Sequence, residues 1–188
     1  MARGVVAPLK LVFIDLTEAY ARLRTDPRVV IDAEVDAPRD LVELALALLD
    51  CRERYGVRTA FAFSASNRRA ANLEQVAERT LGSRGFVVGR VDGTMRARER
   101  ESRLAPLRRE EAASEPTWLV TNCRVLAEGV DVPAVDLVAF ADAKQSHVDI
   151  LQCMGRASRV APGKECGYVL VPVSEEAGEE GPLSLIHI

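Results

Sequence analysis

An α/β fold with a mostly parallel sheet of about six strands, covered by helices on both faces, is the architecture predicted by this 188-residue sequence. Two observations carry the prediction. Apolar runs of strand length recur along the chain, and helical stripes fall between them. Strand alternating with helix implies parallel strands joined by crossovers. The length allows one domain with a real core plus a tail, and no internal repeat competes with that reading.

The elements follow in order. Ala2 to Pro8 is turn-like, and Leu9–Leu16 is a first strand. Thr17 to Ala37 is polar and mixed, with a short helix expected near Thr17–Leu23. Asp40–Tyr55 reads as a helix, because Leu41, Leu44, Ala45, Leu48 and Leu49 form one stripe and Gly56 stops it. Arg58–Ser64 is a second strand. Ser66 then caps a helix over Asn67–Leu81, which Gly82 closes. Arg68 and Arg69 in its first turn oppose the helix dipole, which favours an anion contact there. Phe86–Val91 is a third strand, and a helix starts near Arg96 and ends near Ala105, ahead of Pro106. Its arginines (Arg96, Arg98, Arg100, Arg103) are balanced by Glu99 and Glu101, so the helix reads as a solvated face rather than a nucleic-acid patch. Thr117–Thr121, Leu137–Ala141 and Tyr168–Pro172 complete the strands, with a helix over Ser146–Met154.

A net charge of −3 gives no global nucleic-acid signal, although a local arginine cluster can act within an acidic background. Four scattered cysteines, without a C-x-x-C pair or a suitably spaced histidine, argue against zinc and for reduced thiols in the core. No metal site is expected within this chain. No apolar run is long enough to span a bilayer, so no membrane partner is expected.

The stretch Thr121–Arg159 organises the chain. It holds Thr121, then Glu128-Gly129-Val130-Asp131-Val132-Pro133, then the apolar run Val135–Ala141, then Gln152-x-x-Gly155-Arg156-x-x-Arg159. A turn with Gly and Asp before a strand, followed by a helix ending in two arginines, is one way to build a phosphate site. The turn supplies backbone N–H groups and the arginines supply planar donor forks.

These residues resemble motifs V and VI of superfamily 2 helicases, in the second RecA-like domain. Phe63-x-x-Ser66 with Ala70 resembles motif IV of the same proteins. Glu128 stands where many DEAD-box proteins have a basic residue, and it agrees better with restriction-type helicases. The resemblance covers roughly Gly4 to Val173 and implies a three-layer RecA-like fold. It implies that Arg156 and Arg159 reach the γ-phosphate of ATP as arginine fingers, with Gln152 orienting the phosphate end or its water and Gly155 allowing close approach. Gly129 and Asp131 would contact the nucleotide. Thr121, Ser66 and Arg68 would contact the nucleic-acid backbone. The arginines are then expected to be exposed at one end of the sheet, beside Gly129 and Asp131.

The chain contains no G-x-x-x-x-G-K-[S/T] and no D-E-x-[D/H] box, so ATP with Mg²⁺ would be held mainly by a first RecA-like lobe. The expected organisation is a junction over residues 1–8, the helicase C-terminal domain over 9–173, and an acidic tail over 174–188 that is disordered or artefactual. Partners implied are that first lobe and DNA or RNA, in an intracellular setting, cytoplasmic or in the nucleus or nucleoid. A non-catalytic binding module of the same fold is the alternative. A Rossmann enzyme would need G-x-G-x-x-G after the first strand, which is missing.

Overall fold

The structure is a computed structural model that describes residues 6–15, 38–108, 116–123, 135–142, 147–161 and 164–173. Six strands form one sheet: β1 (Leu9–Asp15), β2 (Thr59–Phe63), β3 (Phe86–Val91), β4 (Thr117–Asn122), β5 (Leu137–Phe140) and β6 (Gly167–Val173). Their order is β1-β6-β5-β2-β4-β3, and every neighbouring pair is parallel. The α-helices among the described residues are α1 (Arg39–Tyr55), α2 (Asn67–Leu81), α3 (Ala97–Leu104) and α4 (His147–Ala157). The helix expected near Thr17–Leu23 and the tail from residue 174 lie outside the described residues.

Strand alternation sorts the core into two layers. On β2, Ala60 and Ala62 face a cluster with Leu44, Leu48 and Leu73 of α1 and α2. Phe61 and Phe63 face the other way, into a cluster with Leu104 of α3 and Ile150, Cys153 and Ala157 of α4. Small residues let the two longer helices approach the sheet closely. The aromatic rings fill the opposite layer, and burying each stabilises the fold by about 1.5–3 kcal/mol. The three-layer RecA-like arrangement is therefore present.

Helix α1 departs from the predicted stripe. Every residue from Leu41 to Cys51 is buried, as for a helix enclosed on all sides over those turns. The two acids within that run are paired one turn away: Glu43 with Arg39 at 2.7 Å and Asp50 with Arg54 at 2.9 Å. The helix ends where Gly56 takes φ +64° and donates its N–H to the Arg52 carbonyl. Pro172 is tolerated in β6 for a geometric reason. Tyr168 N–H points to β5, bonding Asp136 O, so the even-numbered residues of β6 face that neighbour. The register with β5 ends at Leu170, two residues before Pro172, which has no N–H to donate to that neighbour.

Candidate functional site

The predicted site residues lie at opposite ends of the sheet. Ser66, Arg68 and Thr121 sit at the C-terminal ends of β2 and β4. Ser66 caps α2, its hydroxyl accepting from Arg69 N–H at 3.2 Å. Arg68 is exposed in the first turn. Arg69 is committed within the chain: it forms ion pairs with Asp40 and Asp142 and donates to the Ala141 carbonyl at 3.1 Å. The same Asp142 accepts from Ala65 N–H at 2.8 Å, so one carboxylate ties the turn after β2 to the end of β5. The anion contact expected of Arg69 is thus already supplied by the protein's own carboxylates.

Thr121 requires a correction. It is fully buried, and its hydroxyl donates to the Ala70 carbonyl at 3.0 Å. A threonine in the middle of a four-residue buried run of β4 has no route to an external phosphate. Ala70 N–H in turn donates to Ser66 O, so Thr121 supports the turn bearing Ser66 and Arg68. Beside it, Asn122 Nδ2 donates to Ala62 O at 3.2 Å, and Ser64 N–H donates to Asn122 O at 2.8 Å. Asn122 Oδ1 and Ser64 Oγ are buried and find no hydrogen-bond partner among the described residues.

The second group belongs to α4. This helix runs past Met154, where it was expected to end, to Ala157. Ile150, Cys153 and Ala157 therefore share the face packed on the sheet, and Arg156 lies on its flank, only 7 % exposed. Arg156 was expected to be exposed, and the extra turn of helix is the reason it is not. Gln152, Gly155 and Arg159 are exposed. A Cβ built on Gly155 would meet nothing within 4 Å. Gly129 and Asp131 lie outside the described residues.

The arginine-bearing end of α4 rests on the N-terminal edge of the sheet. Ala7 N–H, just before β1, donates to Ser158 O at 2.8 Å. Gly167 opens β6 against the same helix end, where a Cβ would come within 2.0 Å of Ala157 O. Lys164 Nζ donates to Ala157 O and to Val135 O, both at 2.6 Å. Val135 lies two residues before β5 and two residues after the Glu128–Pro133 stretch, so this lysine links the end of α4 to the residues that follow that stretch. Burial pushes the Lys164 ammonium below its ordinary range, while the Asp136 carboxylate opposes that shift. Asp136 also accepts from Arg58 N–H and Thr59 N–H, at 2.9 and 3.0 Å, anchoring the start of β2. Sequence reasoning missed Lys164, Asp136 and Asp142. Only one signal was available: Lys164 is one of three lysines in a chain with 22 arginines. A compact ammonium with several donors serves two carbonyls converging on one point, which a planar guanidinium fork does not.

Chemically, an exposed amide, a bare helical backbone and an exposed guanidinium fit the phosphate end of a nucleotide. Among the described residues no group of three His, Cys, Asp or Glu could hold a metal ion. No described helix is long and apolar enough to cross a membrane.

A parallel six-stranded sheet covered on both faces, with these two ends, defines the class: a RecA-like lobe. The chain belongs to the helicase conserved C-terminal domain family, whose model matches residues 40–161, more than half its length. It is thus a helicase C-terminal domain with a RecA-like fold. Solved structures agree on the fold. The ATP-dependent Type ISP restriction-modification enzyme LlaBIII bound to DNA is similar with a TM-score of 0.74 and 24% identity, over 94% of this chain and 12% of that one. The C-terminal domain of the DEAD-box protein Dbp5 gives 0.54 and 18%, over 89% and 76%. Mss116p DEAD-box helicase domain 2 bound to an RNA duplex gives 0.57 and 14%, over 90% and 55%. The chain therefore spans a small part of the restriction enzyme's length. No curated protein sequence matches it.

Proposed function

We propose that this lobe completes an ATPase site whose nucleotide is held by a first RecA-like lobe, and that it grips a nucleic-acid strand at its other end. The exposed Arg159 is presented to the γ-phosphate, with the largely buried Arg156 backing it on α4, and Gln152 orients the phosphate end or its water. A guanidinium at that place stabilises charge spread over the transferred phosphoryl oxygens, an effect worth roughly 10³ to 10⁵ in rate in GTPases. Gly129 and Asp131 contact the nucleotide. Ser66 and Arg68 contact a DNA or RNA backbone, as the DNA and RNA bound by two of the similar proteins suggest.

One observation carries the reading. Gly155 is an exposed glycine inside a helix, with open space where its Cβ would be. Glycine there costs about 1 kcal/mol relative to alanine, and nothing among the described residues requires it. A backbone kept bare on the exposed side of α4, between Gln152 and Arg159, suits a group approaching from outside. The isolated chain, lacking a phosphate loop, is expected not to hydrolyse ATP. Joined to an ATP-binding lobe it should support strand-stimulated turnover that Arg159→Ala removes. Robust turnover by the isolated chain would sink the reading.

A further inference from the structure

We infer that Lys164 is a positioning residue that holds the arginine-bearing end of α4 in register with the strand following Glu128–Pro133. The inference rests on the reading proposed above and adds the residue that sets its geometry. A helix leaves its last carbonyls without intrahelical partners. At the end of α4 these groups are taken up by neighbours. Ser158 Oγ donates to Gly155 O at 3.0 Å, Ala7 N–H donates to Ser158 O at 2.8 Å, and Lys164 Nζ donates to Ala157 O at 2.6 Å. Lys164 alone among them bonds a second carbonyl, Val135 O just ahead of β5, also at 2.6 Å.

Three features place this role on the side chain rather than on general packing. Ala157 lies between Arg156 and Arg159 in sequence, so a shift of its carbonyl moves both. Gly167 presses its bare backbone against the same carbonyl, so the helix end cannot settle deeper if the lysine lets go. The ammonium also sits at the negative end of the α4 dipole, where a cation is favoured, and Asp136 supplies charge behind it. The lysine touches neither nucleotide nor reacting atoms. It acts through the arginines.

The test is a double-mutant cycle in a protein that joins this lobe to an ATP-binding lobe. Lys164→Met should lower kcat roughly ten- to hundred-fold, the scale of a misplacement of about 1 Å, with KM for ATP changed less than about twofold. In an Arg159→Ala background the same substitution should cost much less than it does alone, because most of its effect passes through that arginine. An unchanged kcat in Lys164→Met, or a full additional loss in the double variant, overturns the inference. Arg159→Ala alone tests the underlying reading: full turnover there removes both. Should Lys164→Met fail to fold, Lys164→Arg keeps the charge but spreads its donors over a plane. It should show the same kcat-selective loss, and wild-type turnover in that variant counts against the inference.

Discussion

Thr121 Oγ1 donates to the carbonyl of Ala70 at 3.0 Å inside the core, binding the end of β4 to the first turn of α2. The group that sequence similarity points toward a phosphate is thereby spent on holding the turn that carries Ser66 and Arg68. Thr121→Val should cost about 1 kcal/mol, the worth of one buried hydrogen bond, and lower the melting temperature by roughly 2–4 °C. Affinity for single-stranded nucleic acid should change little. A large loss of affinity in a variant that still melts cooperatively would return Thr121 to the contact set.

Arg68 is exposed in the same turn, and the proposed function assigns it a backbone phosphate. Binding by the lone lobe should be weak and salt-sensitive. Arg68→Ala should weaken it across sequences and reduce the slope of log K against log salt by about one. Titrations at several salt concentrations measure this directly, and an unaltered slope would place the phosphate contacts elsewhere.

Gly155→Ala should raise the stability of the lobe by about 0.5–1 kcal/mol, since the methyl enters open space in a helix. The same variant should impair ATP turnover when the lobe is joined to its partner. Thermal melts and turnover together decide it: a variant both more stable and fully active would leave the glycine without a role. Gly167→Ala is the contrast, because its methyl would collide with the Ala157 carbonyl.

Much of the fold was legible because the strands are short apolar runs and helical stripes such as those of α1 and α2 fall between them. Phe61 and Phe63 against Ala60 and Ala62 show that pattern resolved into two faces. The end of α4 was less legible. Gly155 is a local signal to stop, yet the helix continues to Ala157 because Lys164 and Ala7 take up the carbonyls beyond it. Those partners come from positions 164 and 7, and no local pattern announces them. The burial of Arg156 follows from that extra turn. Thr121 was misread for a related reason: a motif gives residue identity, whereas strand parity and the position of Ala70 decide where its hydroxyl goes.

Asp92 gives a pH signature. Its carboxylate accepts from the Thr94 hydroxyl and backbone N–H and pairs with Arg90. The Thr94 side chain is the largest influence holding it below the ordinary carboxylate value of 3.8. A depressed folded-state value means a stabilising contribution that is fully present above 3.8 and lost as the pH falls beneath it toward the folded value. Thr94→Val should therefore move the acid-unfolding midpoint upward in pH, and Asp92→Asn should flatten stability against pH in that window. An acid transition identical to wild type in both variants would contradict this assignment.

The two arginines of α4 now separate in their consequences. Arg156 is buried, so Arg156→Ala should destabilise the lobe by more than about 1 kcal/mol, and its effect on turnover would mix folding with chemistry. Arg159 is exposed, and Arg159→Ala should leave the melt within about 0.5 kcal/mol of wild type. The most direct measurement is therefore strand-stimulated ATP turnover of Arg159→Ala in a protein joining this lobe to an ATP-binding lobe. The account predicts a loss of at least roughly 10³-fold in kcat with nucleotide binding reduced far less, and poor rescue by Arg159→Lys. Wild-type turnover in a folded Arg159→Ala protein would contradict it.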